Sequence, residues 1–280
     1  MLDSSVRDIR LIESSIPKSG VKQTGVLVIA HGDSDDRWNE SVRRVLTPLR
    51  DRYLLELAFL FPVPGETLQD GLDRLATRGA DTVLAIPLLV SSYSEHFEEL
   101  EYVLGLREKI LPVGETKLNR VCTNSQIKLG RAIDSNPLVT QILKHRVCDL
   151  SVDPSKEVLV LVGHGPNSED YNREWLRHID TIGATIQQDL PFQRVHAFTL
   201  RDDAPTEIRD AASRALRLAV EQESSKANVL IATLLISNGE VQTGIKERLK
   251  GLTYNIAHEG LASDPLITDW IEMQISELIS

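Results

Sequence analysis

Two histidines stand where chemistry collects in an α/β protein. Residues 26–30, VLVIA, form an unbroken apolar run that reads as a buried parallel strand, and His31 follows it directly, beside Gly32. His96 comes just after a second such run, residues 82–90, and the polar stretch SSYS. Ligands of open α/β sheets bind beyond the carboxyl ends of the strands. Both rings are therefore expected on one sheet edge, close enough to converge.

Imidazole, with an ordinary pKa of about 6.5, accepts protons near neutral pH and in its neutral form binds first-row divalent metals. Asp33, Asp35, Asp36 and Glu95 add carboxylates along the same rim. The run 33–36 serves equally well as the N-terminal cap of the next helix. Together these groups suit the transient holding of Co²⁺, Fe²⁺ or Ni²⁺. The remaining histidines outside the repeat described below, His145, His178, His196 and His258, read as structural or solvated.

The elements that must position these residues alternate. After the first strand, the spacing predicts a helix over 36–50, a strand over 54–61, a helix over 66–78, the strand over 82–90, a helix over 95–106, a strand over 118–122 and a helix over 136–145. A polar linker spans 149–156. Beyond it strands are expected near 157–163, 193–200, 227–236 and 252–257, with helices near 170–189, 205–222, 241–250 and 265–279. Strand alternating with helix implies parallel sheets covered on both faces.

The two halves repeat each other. VLVLVGHG at 158–165 restates the first strand and its histidine, so that His164 answers His31, and at the same offset Asn172 answers Asn39, Tyr171 answers Trp38 and Glu169 answers Asp36. AIPLLVSS at 85–92 is echoed by IATLLISN at 231–238, and SNPLV at 135–139 by SDPLI at 263–267. Landmarks in the same order point to duplication of a whole α/β domain rather than a short solenoid repeat. We therefore expect an N-terminal extension over 1–22 and two similar domains, 23–150 with the histidine pair and 151–280 as a degenerate repeat. Each domain would bury its own core, with a ligand cleft between them.

Composition sets further bounds. The chain has 280 residues, 41% hydrophobic and 26% charged, as in soluble globular proteins. A formal net charge of −10 disfavours nucleic acid, whose phosphates call for Lys and Arg. No apolar run reaches the roughly 18–20 residues needed to cross a bilayer, and charges scattered over the first residues break any signal-peptide pattern, so no membrane association is expected. Two cysteines without a CxxC pattern fit reduced thiols in the cytoplasm. A phosphate-using α/β enzyme is a weaker reading, because no GxGxxG or GxxxxGK[ST] loop follows a strand and its key feature is missing. Monomer and homodimer remain equally open.

The AHG after the first strand, the AFL of the second, the PLLVSS segment with its histidine and the NPLV near the domain end resemble, in order and spacing, the long two-domain sirohydrochlorin chelatases of cobalamin and sirohaem synthesis. The resemblance covers the chain from about residue 24 onward. It implies ATP-independent insertion of a divalent metal, Co²⁺ or Fe²⁺ with Ni²⁺ possible, into sirohydrochlorin or a related tetrapyrrole. The metal is then a substrate, and no nucleotide takes part. On this reading His31 and His96 are catalytic, and His31, His96 and Glu95 hold the metal.

Three positions depart from the family pattern. Asp33 stands where Ser usually follows HG, Phe61 where the second strand usually ends in a metal-holding Glu, and Glu95 where the second histidine usually lies, with His96 one residue later. Glu95 could replace either missing ligand. In the second half Val241 and Gln242 stand where the second histidine would be, so that half is expected to wall the cleft, with Arg201, Lys246 or Arg248 meeting substrate carboxylates. The alternative reading is a non-catalytic metal- or tetrapyrrole-binding member of the same fold.

Overall fold

The computed structural model describes residues 23–61, 63–110, 118–237 and 239–280. The expected extension over 1–22 lies outside them. The first sheet carries β1 (Gln23–Ala30), β2 (Leu55–Phe59), β3 (Ala80–Leu88) and β4 (Gln126–Leu129), all parallel, in the order β2-β1-β3-β4. The second carries β5 (Glu157–Gly163), β6 (Arg194–Thr199), β7 (Asn228–Leu234) and β8 (Asn255–Ile256) in the matching order β6-β5-β7-β8. The central strands are almost wholly buried, which is why they read as continuous apolar runs.

The helices are α1 (Asp36–Val45), α2 (Thr47–Arg50), α3 (Leu68–Thr77), α4 (Glu95–Val103), α5 (Pro137–Leu150), α6 (Glu169–Asp189), α7 (Thr206–Ser224), α8 (Glu240–Arg248) and α9 (Leu266–Ile279). Two expectations change. The helix expected over 36–50 is interrupted at Leu46, where Pro48 lacks the N–H to continue the ladder and instead occupies the first turn of α2. The fourth strand is 126–129 rather than 118–122. Val121 donates to the Val103 carbonyl at 3.0 Å and Cys122 to the Gln69 side chain at 2.8 Å, while Gln126 to Leu129 pair with Thr82 to Ala85.

The halves do not bury separate cores as expected. α5, from the first half, packs on β7 and α6, whereas α9, the last helix, packs on β3 and α5. One apolar cluster therefore runs through both sheets, joining Leu84 and Ile86 of β3, Trp270 and Ile271 of α9, Leu143 and Val147 of α5, and Leu159 and Leu230 of the second sheet. The outer faces have their own smaller clusters under α3 and α4 and under α7 and α8. Polar ties follow the same exchange. Lys128 donates to the Leu278 carbonyl at 2.7 Å, and Arg146 to the Glu259 and Gly260 carbonyls, both at 2.6 Å.

Candidate functional site

In the order β2-β1-β3-β4 the chain passes from β1 to opposite sides, so β1 and β3 flank the point where the winding reverses and a crevice opens at their carboxyl ends. Ala30 is level with Leu88 in the register. His31 follows Ala30, and His96 stands in the first turn of α4, whose N-cap Ser94 accepts from the Phe97 N–H at 3.2 Å. The sequence thus delivers the two imidazoles to one place. Their ring centroids are 4.5 Å apart with planes inclined at 64°.

Each ring is anchored through Nδ1. That of His31 lies 2.7 Å from the Gly32 carbonyl and that of His96 lies 3.0 Å from Glu99 Oε2. Both partners can only accept, so Nδ1 carries the proton and Nε2 keeps the lone pair that binds a metal or takes a proton. Gly32 is required where it stands. Its φ is +84°, and a Cβ there would come within 2.8 Å of Phe59 Cβ.

The two rings are tuned in opposite directions. Burial, then the neighbouring His96, holds the His31 pKa below its ordinary value, with a smaller push from His164, against the Gly32 carbonyl and Asp203. For His96 burial also pulls downward, but the hydrogen bond and charge of Glu99 outweigh it, helped by Asp203 and Glu95, and the pKa is raised. Interacting groups tuned apart in this way are common at reactive centres.

The expected carboxylates are placed otherwise. Glu95 Oε1 accepts from the backbone N–H groups of Asn167 and Ser168, at 3.1 and 3.0 Å, so this carboxylate docks α4 onto the loop after β5. Asp35 caps α1 and pairs with Arg37 at 2.6 Å, Asp36 pairs with Arg43 at 2.8 Å, and Asp33 accepts from the Asp35 N–H at 2.8 Å. Phe61, whose N–H donates to the His31 carbonyl at 2.6 Å, is an exposed apolar residue. Among the described residues no three His, Cys, Asp or Glu side chains group as a ready metal cage.

Two of the cations expected to meet substrate are committed inside the protein. Arg201 is buried and donates to the carbonyls of Pro166 and Asn167, at 3.0 and 2.6 Å, and to Glu169 at 2.6 Å. Arg248 is held by Asp202 and Ser213. Lys246 instead lines a cavity of about 630 Å³ between the halves, walled by Asp33, Ser34 and Arg37 on one side and Ser237 and Gln242 on the other. This cavity begins two residues beyond His31.

Sequence reasoning missed Glu99 and Asp203. Glu99 was legible as the i+3 neighbour of His96 on a helix. Asp203 was not, because its nearness to the first-half histidines comes from the packing of one half on the other.

This duplicated pair of parallel sheets, crossed by helices from opposite halves, is the fold of the chelatases. Residues 25–150 match the CbiX family model. Among solved structures, SirB from Bacillus subtilis with Fe³⁺ is 17% identical, with a TM-score of 0.67 over 91% of this chain and 95% of that one. The sirohydrochlorin chelatase SirB from Bacillus subtilis subspecies spizizenii in complex with cobalt is 15% identical, with a TM-score of 0.63 over the same shares. CbiX, described as the terminal enzyme for biosynthesis of siroheme in denitrifying bacteria, is 18% identical, with a TM-score of 0.59 over 91% and 100%. No curated protein sequence matches the chain. Among the described residues no helix is long and apolar enough to cross a membrane.

Proposed function

We propose that the protein inserts a divalent metal, Co²⁺ or Fe²⁺, into sirohydrochlorin or a related tetrapyrrole without ATP. The observation that carries this reading is the His31–His96 pair, two imidazoles in contact with both Nδ1 atoms tied down. The match of residues 25–150 to the CbiX family model supports it, and so do the cobalt and Fe³⁺ held by the similarly folded SirB structures.

Insertion exchanges two pyrrole protons for one M²⁺. His31, kept neutral by its surroundings, offers Nε2 to the ion, and His96 supplies the second nitrogen. Once the ion passes to the macrocycle, the freed imidazoles accept the departing protons, a task suited to groups titrating near neutral pH. Glu99 holds the His96 ring and stabilises the imidazolium that results. Glu95 tethers α4 and has one carboxylate oxygen left to offer the ion. Lys246 faces the cavity in which a carboxylate of the macrocycle would lie. We place the reaction in the cytoplasm, in keeping with two exposed free thiols.

The test is a metallation assay. Purified protein mixed with sirohydrochlorin and Co²⁺ or Fe²⁺ should accelerate the absorbance change of the macrocycle over the uncatalysed reaction. Stoichiometric binding without turnover would point instead to a carrier of the same fold.

A further inference from the structure

A third imidazole faces the same cleft from the second half. Gly163 pairs with Thr199 as Ala30 pairs with Phe59, so His164 occupies in the second sheet the place of His31 in the first. It is anchored alike, with Nδ1 3.0 Å from the Gly165 carbonyl, and Gly165 has a φ of +81°. Its Nε2 lies 3.6 Å from Asp203 Oδ2, too far for a hydrogen bond. Two donors each about 2.1 Å from one ion at the tetrahedral angle stand about 3.4 Å apart. That separation, an ion pair when the ring is protonated, is also the spacing of two ligands on one ion.

The loop carrying His164 is held from both halves. Arg201 grips the carbonyls of Pro166 and Asn167 from within the second half, and Glu95 takes the Asn167 and Ser168 N–H groups from the first. His164 is thereby kept beside α4, the helix that carries His96. The charge of Asp203 is felt by both His31 and His96, and that of His164 by His31, as expected of groups that share one cleft. Asp203 remains 63% exposed and His164 30%, open to an ion arriving from solvent.

We propose that His164 and Asp203 form a second divalent-cation site, where the ion first lands before passing to His31 and His96. One nitrogen and one carboxylate donor suit Co²⁺, Fe²⁺ and Ni²⁺. Two donors leave most coordination positions to water, so the ion is held loosely enough to move on. The passing step rests on the metallation reading above, whereas the landing site itself does not.

The experiment is a Co²⁺ titration of the full chain without tetrapyrrole, followed by visible absorption and by the paramagnetic broadening of histidine ring signals. In the double variant H31A/H96A, Co²⁺ should still broaden the His164 ring. Adding Asp203→Asn to that background should weaken this binding by at least about tenfold. Asn is nearly isosteric at an exposed position, and circular dichroism checks that the variant folds. A His164 ring left sharp in the double variant, or binding unchanged by Asp203→Asn, would overturn the site. Failure of the wild-type protein to metallate sirohydrochlorin would remove the metallation reading and leave the titration result standing.

Discussion

The rings of His31 and His96, which lie far apart in the sequence, meet with their centroids 4.5 Å apart because β1 and β3 are neighbours at the point where the sheet reverses its winding. Their proximity follows from topology, and several measurable consequences follow from their proximity.

Replacing either ring removes a metal donor and a proton acceptor at once. His31→Ala and His96→Ala should each lower the metallation rate by at least about 100-fold, the ordinary worth of a positioned acid or base. Thermal unfolding should stay close to wild type, since both rings are only partly buried. A stopped assay with sirohydrochlorin and Co²⁺ measures the first and a melting curve the second.

Protons compete with metal for Nε2. His31, with its lowered pKa, is already neutral below the ordinary value, so the limiting titration belongs to His96, whose pKa is raised. Metal affinity should therefore climb as pH rises through a midpoint above about 6.5 and level off once His96 is neutral. Glu99→Gln removes the main influence raising that pKa and should move the midpoint to lower pH. Co²⁺ titrations across the range between pH 5.5 and 8.5 check both the direction and the shift.

Glu95 separates tethering from ligation. Its carboxylate receives two backbone N–H groups of the other half, so Glu95→Ala leaves both without their acceptor and should cost about 1–3 kcal/mol of stability, seen as a lower melting temperature. Glu95→Gln, which keeps an amide oxygen, should cost less. An alanine variant that melts like wild type but loses Co²⁺ affinity would show the residue to be a ligand instead.

The exchange of α5 and α9 makes the halves interdependent. A fragment ending at residue 150 exposes Ile142, Leu143 and Val147, which in the whole chain lie in the shared core, and leaves Leu84 and Ile86 uncovered by Trp270 and Ile271. Such a fragment should not persist as a folded monomer. Sedimentation and circular dichroism should find it self-associated or unfolded.

Much of this is legible in the sequence. Continuous apolar runs ending in Gly-flanked histidines marked the strands and the edge that matters, because a strand buried on both faces has no other composition open to it. The repeat of VLVIAHG by VLVLVGHG announced two sheets of one design. What could not be read was long-range. That Glu95 would dock on the loop after His164, that the charge of Asp203 would act on the first-half histidines, and that α5 and α9 would trade places all depend on the packing of one half against the other. The strand expected at 118–122 failed for a local reason. Its apolar residues, Leu118 and Val121, cover the outer face of the first sheet, while pairing with β3 falls to Gln126–Leu129.

The most direct measurement is a crystal of the protein soaked in Co²⁺ and recorded at the cobalt absorption edge. An anomalous peak about 2.0–2.2 Å from Nε2 of both His31 and His96 is the expected result. A soaked crystal with no peak bonded to both rings, or with a peak at this site that touches only one of them, would contradict the assignment of this pair as the metal-handling centre.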